Sequence, residues 1–258
     1  MALIDKLTNI ANAIRSKTGK GKPMTLEQMA EEINNLSIDD SEFIAYQNDE
    51  IVNYVVPKEA TKVKSYLFQN SKSIKIADLR NATSIGDYAF DGSSLEEVIF
   101  NDDAYYGSQK ICGRAFQSTK ITTISSNVNM GIYSSAPNVF YNCSSLKMVY
   151  MPRLTINNSI RTFAYCTQLE KIVMKGGGFS NSNFQNCSSL TALILIDSTM
   201  TTLGNTNNFT NTPIEAGTGY IYVPKALIEE YKVATNWITY AEQFRAIEDY
   251  PEICGVTA

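Results

Sequence analysis

Three cysteines that recur in nearly the same surroundings are the first residues to consider for chemistry. Cys143, Cys166 and Cys187 lie in the segments NVFYNCSSLKMVYMP, RTFAYCTQLEKIVMK and SNFQNCSSLTALILI. Thiolates at such positions could serve as nucleophiles, redox partners or metal ligands. However, none of the five cysteines forms a C-x-x-C pair, and the chain contains no histidine. The sequence therefore excludes zinc-ribbon spacing, a dithiol redox motif and any catalytic site built on a Ser-His or Cys-His pair.

Adjacent carboxylates are the other residues that could carry out acid–base chemistry. The pairs are Asp39/Asp40, Glu96/Glu97, Asp102/Asp103 and Glu229/Glu230. Neighbouring side chains point to opposite faces of a strand and diverge by about 100° on a helix, so neither geometry forms a natural catalytic pair. We therefore predict solvated surface charges, with no catalytic residues, no cofactor and no metal site. A carboxylate-based hydrolase is a remote alternative.

The composition points away from nucleic acid and from the membrane. Charged residues make up 19% of the 258 residues, and the formal net charge is −4. The sequence has no basic footprint for nucleic acid and no apolar run of the ~18 residues that a membrane span requires. Asp5, Lys6 and Arg15 interrupt the apolar N-terminus, which is therefore not a secretory signal. We expect no nucleic-acid partner and no membrane insertion.

A repeat accounts for the similar segments. Successive phenylalanines are separated by 22, 26, 24, 23, 21 and 25 residues. They are Phe68, Phe90, Phe116, Phe140, Phe163, Phe184 and Phe209. Each is followed five or six residues later by Leu or Ile, and most units have further aliphatic residues three and five positions beyond. A period of about 20–29 residues with apolar positions at this spacing is typical of a leucine-rich-repeat solenoid.

Each unit is predicted to contribute one short strand and one return arc, because it can bury its apolar side only against neighbouring units. In LKMVYMP, we expect Leu146, Val149 and Met151 to point inward, and Lys147 and Tyr150 to point outward. The predicted fold is a leucine-rich-repeat solenoid (α/β repeat), with a curved parallel β-sheet of about seven coils and irregular return arcs. The segment KGGGFS, residues 175–180, is expected to be a loop between coils because it follows a strand and opens no helix.

The repeat also gives the cysteines a structural role. Cys143, Cys166 and Cys187 each lie three residues after a repeat phenylalanine, where other units have serine, glycine or threonine. This pattern predicts a small, half-buried position. We expect these thiols to be reduced and free of metal, and to be replaceable by serine or alanine at modest cost.

The segment TSIGDYAFDGSSLEEVIF, residues 83–100, resembles the BspA-like leucine-rich-repeat family, whose units read approximately I-G-x-x-A-F-x-x-C-x-x-L-x-x-I-x-L-P. The segment KICGRAFQSTKITTI keeps Ile111, Ala115 and Phe116 of that pattern. The resemblance covers about residues 63–214. It departs from the family in that the final proline survives only as Pro152 and the glycine only as Gly86. The resemblance implies a non-enzymatic protein associated with adhesion and surface binding.

Three regions are predicted: an N-terminal helical segment (1–40), the leucine-rich-repeat solenoid (41–219) and a C-terminal strand–helix cap (220–258). The first region has two amphipathic stripes, which suggest either a helical hairpin or a short self-association seam. In the last region, residues 220–223 are expected to form a strand and residues 226–232 a short helix. Asn236 or Thr235 is expected to cap another helix that contains Trp237, Tyr240 and Phe244.

Both ends carry a second resemblance. IANAIRSKTGKGKPMTLEQMAEEI, and the segment that begins GTGYIYVPKALIEEYKVATNW, are similar to segments of tail-appendage proteins from phages and prophages of Gram-positive bacteria. This resemblance implies a tail-associated or surface-displayed protein, virion-associated or extracellular, whose N-terminal helices contact other tail or surface proteins. The alternative is a secreted BspA-like surface adhesin whose leader is not in this chain.

One column of side chains is the candidate binding site. The position between the last two inward residues of each strand is Asp78, Ile99, Ser125, Tyr150, Val173 and Ile194. By alternation, this column should line the outer surface of the sheet. Its apolar members, Ile99, Tyr150, Val173 and Ile194, are the predicted ligand-binding residues, and the expected ligand is a protein or an extended glycan on a cell surface. Simple β-propensity is the alternative explanation for these residues.

Overall fold

Almost all of the regular structure in this chain consists of short β-strands. The structure is a computed structural model and describes residues 50–102 and 109–255. The predicted N-terminal helical segment lies outside the described residues, as do Asp39, Asp40 and Asp103. The boundaries of the three regions stay predictions.

The strands are β1 (Asn53–Val55), β2 (Lys62–Val63), β3 (Ile76–Asp78), β4 (Ser84–Ile85), β5 (Glu97–Ile99), β6 (Gln109–Ile111), β7 (Thr123–Ser125), β8 (Met130–Tyr133), β9 (Met148–Asn157), β10 (Lys171–Phe179), β11 (Ala192–Leu195), β12 (Thr202–Leu203), β13 (Tyr220–Val223) and β14 (Phe244–Ala246). The helices are α1 (Ile228–Val233), α2 (Pro251–Cys254) and the 3₁₀ segments Thr206–Phe209, Lys225–Leu227, Trp237–Gln243 and Ile247–Asp249.

The strands form two rows, and every ladder within them is parallel. In the first row, β1, β3 and β5 pair in turn; β7 pairs with the start of β9, and β10, β11, β13 and β14 follow. In the second row, β2, β4, β6 and β8 lead to the later parts of β9 and β10, and then to β12. Because β9 and β10 run through both rows, they join the strands from β7 onwards and the second row into one 11-stranded sheet, whereas β1, β3 and β5 form a separate three-stranded sheet.

The solenoid fold is confirmed, but the prediction of one strand per unit is wrong. Val63, Ile85 and Ile111, which mark the start of three repeats in the sequence, each end a second-row strand and point into the core. The alternation predicted for the first row is confirmed in β9, where Val149 and Met151 are buried. Between β5 and β7, no ladder joins the described strands.

The seven repeat phenylalanines form one continuous buried stack. Successive ring centroids lie 5.2–6.0 Å apart, with interplanar angles of 2–13°. Tyr54 packs edge-on against Phe68 at one end, at 4.8 Å, and Tyr240 packs edge-on against Phe209 at the other, at 5.1 Å. The cap also places the Trp237 ring 5.9 Å from that of Phe209. Offset and edge-on aromatic contacts each add about 0.5–1.5 kcal/mol beyond the area they bury.

The chain turns around each phenylalanine through two residues in the left-handed conformation. The residue two positions before the ring has positive φ in six coils: Tyr66, Tyr88, Arg114, Asn138, Arg161 and Ser182. The residue two positions after it has positive φ in all seven: Asn70, Gly92, Ser118, Asn142, Tyr165, Asn186 and Asn211. Glycine and asparagine adopt this conformation at the lowest cost, which accounts for the asparagines that recur after the phenylalanine.

The segment KGGGFS is not the predicted loop, because Lys175 to Phe179 continue β10 into the second row. The ladder with β9 shifts register between Met174 and Gly176. Gly177 has φ +119, and a Cβ there would lie 2.4 Å from the Ile156 carbonyl oxygen. Glycine therefore allows β10 to bend around the corner while its backbone remains close to β9.

The C-terminal cap combines the predicted strand with elements that were not predicted. Residues 220–223 form β13, as expected, but Phe244 opens a further strand, β14, instead of continuing a helix. Asn236 does not cap the 3₁₀ segment that follows it; its side-chain amide donates instead to the carbonyl oxygens of Leu203 and Gly204, at 2.7 and 3.0 Å. The Trp237 indole donates to the Thr201 carbonyl at 2.7 Å. These bonds hold the cap on the last coil.

Truncating a ring in the middle of the phenylalanine stack should destabilise the protein strongly. We expect Phe163→Ala to lower the free energy of unfolding by about 3–5 kcal/mol, as for other buried aromatic residues, because it leaves a cavity between two coils. Urea denaturation measures the change. The control is Tyr165→Asn, two residues away and 40% exposed, which should stay within about 0.5 kcal/mol of the parent. Equal losses in the two variants would contradict the stack as the core of the fold.

Candidate functional site

The outward-pointing side chains of the first strand row form the candidate site, which we call the outer face. Register places Val55, Asp78 and Ile99 side by side on β1, β3 and β5. No ladder joins the described strands β5 and β7, and beyond this interruption the same column continues through Ser125, Tyr150, Val173, Ile194 and Tyr222. All four predicted ligand-binding residues therefore lie in this column, on the side of the strands opposite the phenylalanine stack.

The predicted residues differ in their accessibility. Ile99 and Tyr150 are half-buried and reach solvent. Val173 and Ile194 are only 1% and 0% exposed. The expectation that these two residues line a free surface is therefore wrong, although the strand alternation that placed them outward is correct.

A C-terminal segment that folds back over the outer face buries Val173 and Ile194. This return segment, residues 247–255, follows β14 and includes α2. Its Ile247 and Cys254 belong to one apolar cluster with Val173 and Ile194. The Tyr250 ring packs edge-on against Tyr222, with ring centroids 5.6 Å apart.

Polar contacts also fasten the return segment, among them the ion pair of Lys225 with Asp249 at 3.1 Å. The Lys171 ammonium group, on β10, donates to the Ile253 carbonyl oxygen at 3.0 Å. Sequence reasoning missed this segment, even though Ile247, Tyr250 and Ile253 recur at a spacing of three residues. That spacing is the apolar stripe of a short helical turn, and it could have indicated a face packed on the solenoid.

Two shallow grooves open on the outer face beside the covered part. One, of about 580 Å³, runs past the starts of β9, β10, β11 and β13 and is bordered by Lys147, Met148, Tyr220 and Ile253. The other, of about 660 Å³, lies at the interruption between β5 and β7 and includes Ile99, Asp102 and Ser125. Both are open troughs, so they suit an extended ligand more than an enclosed small molecule.

The charged residues near the outer face take part in local contacts. Asp78 accepts a bidentate pair from Arg80, at 2.6–3.1 Å, and this hydrogen bonding lowers the pKa of Asp78. Asp102 accepts hydrogen bonds from the Ser126 hydroxyl, at 2.5 Å, and from the Asn127 amide, at 2.8 Å. These contacts give the carboxylates of Asp78 and Asp102 a structural role.

Two members of the adjacent acidic pairs form ion pairs in the part of the chain that the structure describes. Glu96 pairs with Lys75, and Glu229 pairs with Lys232 at 2.8 Å. Within residues 50–102 and 109–255, no three Cys, Asp or Glu side chains are grouped so that they could hold a metal ion.

The repeat cysteines are buried structural groups. Cys143, Cys166 and Cys187 are fully buried, not half-buried as predicted, and all the described cysteines are free thiols. Their Sγ atoms donate to the carbonyl oxygens of Phe116, Phe140 and Phe163 in the preceding coil, at 3.0–3.1 Å. Burial raises the pKa of Cys187 to about 12. A thiol that stays protonated at neutral pH is a poor nucleophile.

The repeat pattern can now be compared with known families. The profile of the BspA type leucine rich repeat region matches residues 37–130 and 83–215, with six copies. The chain belongs to this BspA-type leucine-rich-repeat family. Proteins of the family are typically surface adhesion or recognition modules, and their fold is generally non-enzymatic.

Two solved structures are also similar to this BspA-type protein. A leucine-rich repeat protein from Eubacterium ventriosum ATCC 27560 shares 15% identity over 70% of this chain and 68% of its own, with a TM-score of 0.30. One from Bacteroides ovatus ATCC 8483 shares 13% identity over 78% of this chain and 85% of its own, with a TM-score of 0.29. No curated protein matches the chain significantly. Where the structure describes helices, none is long and apolar enough to cross a membrane.

The buried thiols should make stability depend on alkaline pH. The folded-state pKa of Cys187 is raised from its usual value of 9.0 to about 12, so the unfolded chain releases this proton first as pH rises. The contribution to stability is therefore fully present below pH 9 and is lost as pH rises towards 12. We expect Cys187→Ala to show a shallower decline of the free energy of unfolding over this range. The free energy of unfolding is measured by urea denaturation at several pH values. If it declines equally steeply in the parent and in Cys187→Ala, the predicted role of the Cys187 thiol is contradicted.

Proposed function

We propose that this BspA-type protein is a non-enzymatic recognition and adhesion module, and that the open part of its outer face binds a protein or an extended glycan on a cell surface. One observation carries the proposal. Ile99 and Tyr150 hold apolar surface at the outer face, and Met148, two residues before Tyr150 on β9, is 37% exposed. Apolar side chains that reach solvent on an open surface suit a broad macromolecular contact.

The position of these residues in the repeat supports an extended ligand. Each first-row strand adds one side chain to the column, about 4.8 Å from the next. The groove beside Ile99 and the groove beside Met148 both open along the outer face. A ligand that spans several coils would collect a modest contact from each of them, whereas a small substrate would meet no enclosing wall.

The biological setting remains part of the proposal. The resemblance at both ends of the chain supports a phage- or prophage-encoded protein, tail-associated or surface-displayed, with the N-terminal helices attached to other tail or surface proteins. A secreted BspA-like adhesin with the same binding face is the alternative. Neighbouring genes for tail or lysis proteins would favour the first setting, and their absence would favour the second.

Replacing the two accessible residues of the column should weaken adherence without unfolding the protein. We expect Ile99→Ser/Tyr150→Ser to lower adherence to host cells, or to immobilised matrix proteins and glycans, by about tenfold, because apolar contact area is lost. Binding should vary little between pH 6 and 8, since the chain has no histidine.

The matched control changes the same residue types elsewhere. Ile160→Ser/Tyr165→Ser alters an isoleucine and a tyrosine that are 37% and 40% exposed and lie outside the first strand row. This control should keep full adherence and the parent melting temperature. Unchanged adherence of the folded Ile99→Ser/Tyr150→Ser variant would remove the outer face as the binding site, and hydrolysis of a bound ligand would overturn the non-enzymatic assignment.

A further inference from the structure

A second surface, on the opposite strand row, concentrates cations in a protein that is acidic overall. Lys62 on β2, Ser84 on β4 and Lys110 on β6 lie in register on neighbouring strands. Lys62 and Lys110 are exposed, whereas the residues next to them, Val63 and Ile111, are buried. The two ammonium groups therefore project from the same face, about two strand spacings apart.

Two tyrosines and an arginine follow these strands at a constant distance in the sequence. Tyr66, Tyr88 and Arg114 lie four residues after Lys62, Ser84 and Lys110. We call these six residues the basic aromatic surface.

The large side chains of this surface contact one another across the coils. The rings of Tyr66 and Tyr88 are stacked, with centroids 5.1 Å apart and an interplanar angle of 12°. The Arg114 guanidinium lies 5.2 Å from the Tyr88 ring centroid and donates to the Tyr88 hydroxyl. Tyr66, at the end of this row, is 56% exposed.

The three large residues occupy a backbone conformation that is less favourable for them than for glycine or asparagine. Tyr66, Tyr88 and Arg114 have φ of +63°, +55° and +58°. The left-handed region is favourable for glycine and asparagine and is uncommon for bulky residues, and Asn138 fills the equivalent corner in the next coil. Arg161 and Ser182 fill the same corner in the two coils after that, so the corner accepts several types of residue. The backbone therefore does not require tyrosine or arginine at these positions.

The cations of the basic aromatic surface are not neutralised by the protein where the structure describes it. None of the ion pairs between described residues includes Lys62, Lys110 or Arg114. Asp87, the carboxylate next to Tyr88, accepts a hydrogen bond from the Gly113 amide at 2.9 Å. The exposed ammonium groups of Lys62 and Lys110 are therefore available to an external anion, while the Arg114 guanidinium is engaged with Tyr88.

We propose that the basic aromatic surface binds an acidic polysaccharide. Carboxylate or sulfate groups spaced along such a chain would pair with Lys62 and Lys110, while sugar hydroxyl groups would bond to the tyrosine hydroxyls. The two tyrosine rings are 5.1 Å apart, which is comparable to the length of one sugar residue in an extended polysaccharide. A chain that runs across these coils can contact the tyrosines of two neighbouring coils and the two lysines on either side of Ser84.

The same geometry argues against single-stranded nucleic acid. Bases bind such proteins by stacking on open aromatic faces. Here the Tyr66 and Tyr88 rings stack on each other, and the guanidinium of Arg114 lies over the Tyr88 ring. The Tyr88 ring therefore offers little free face to a base, whereas the hydroxyl groups and ring edges of the two tyrosines suit hydrogen bonding to sugars.

Direct binding measurements test the proposal. The probes are hyaluronan and polygalacturonate fragments, with neutral dextran and double-stranded DNA for comparison, measured by calorimetry or biolayer interferometry. The full chain should bind the two uronate polymers, bind dextran at least tenfold more weakly, and lose affinity as sodium chloride increases, because exposed charges are screened beyond about 10 Å at 0.1 M salt. Undetectable uronate binding at low salt, or equal binding of dextran or DNA, would overturn the proposal.

Two variants separate charge from hydrogen bonding. Lys62→Gln/Lys110→Gln should lower uronate affinity about tenfold and flatten its salt dependence. Tyr66→Asn/Tyr88→Asn should lower affinity about tenfold without flattening the salt dependence. The second variant should melt within about 4 °C of the parent, because asparagine tolerates the left-handed corner. A loss of affinity with little change in melting temperature would show that the two tyrosines bind the polysaccharide and are not needed for folding.

Matched controls place the same changes elsewhere. Lys120→Gln removes an exposed lysine that precedes the first-row strand β7 and lines neither groove, and Tyr165→Asn changes an exposed tyrosine at the other left-handed corner. Both should bind the uronate polymers as the parent does, and an equal loss in them would contradict the proposal. Ile99→Ser/Tyr150→Ser should also keep uronate binding. The proposal for the basic aromatic surface and the proposal for the outer face can therefore be refuted independently.

Discussion

Stacking of each repeat phenylalanine on the next sets the geometry to which the other contacts conform. Rings 5.2–6.0 Å apart and nearly parallel require every coil to advance by about one strand spacing. The backbone enforces the same advance, since the Phe116 and Phe140 amides donate to carbonyl oxygens of the next coil at 3.0 and 2.9 Å. The steps between phenylalanines nevertheless vary from 21 to 26 residues. Length variation must therefore be absorbed between these contacts, which explains why the arcs are irregular while the stack is regular.

The core could be predicted from the sequence because burial restricts the residue types that fit. A position that must fill the gap between two coils accepts Phe, Leu, Ile or Val and few others, so its period is visible without an alignment. The second strand row was harder to recognise. Its strands β2, β4 and β6 are two or three residues long and end on a single inward residue, such as Val63 or Ile85. One apolar residue cannot show the alternation that identifies a strand.

The outer face shows the limit of local patterns. Alternation along β10 and β11 correctly placed Val173 and Ile194 away from the phenylalanine stack. What covers those residues depends on a contact between parts of the chain that are far apart, since Lys171 bonds to a carbonyl 82 residues later. A strand pattern specifies the direction of a side chain but not its accessibility. The predicted binding column consequently has fewer accessible members than the sequence suggested: Ile99 and Tyr150 are half-buried, and Tyr150 also packs against the covered cluster.

The surface residues that packing does not explain are the best guide to function in a fold of this kind. Every coil must place an inward residue in the same position, so the core of one repeat protein resembles that of another and carries little functional information. By contrast, Tyr66, Tyr88 and Arg114 occupy corners where asparagine would strain the backbone less. Lys62 and Lys110 add charge to the same surface in a chain with a net charge of −4. Choices that oppose backbone preference and overall charge are difficult to attribute to folding. The proposed acidic polysaccharide, running along the coils, would give these side chains a common physical role.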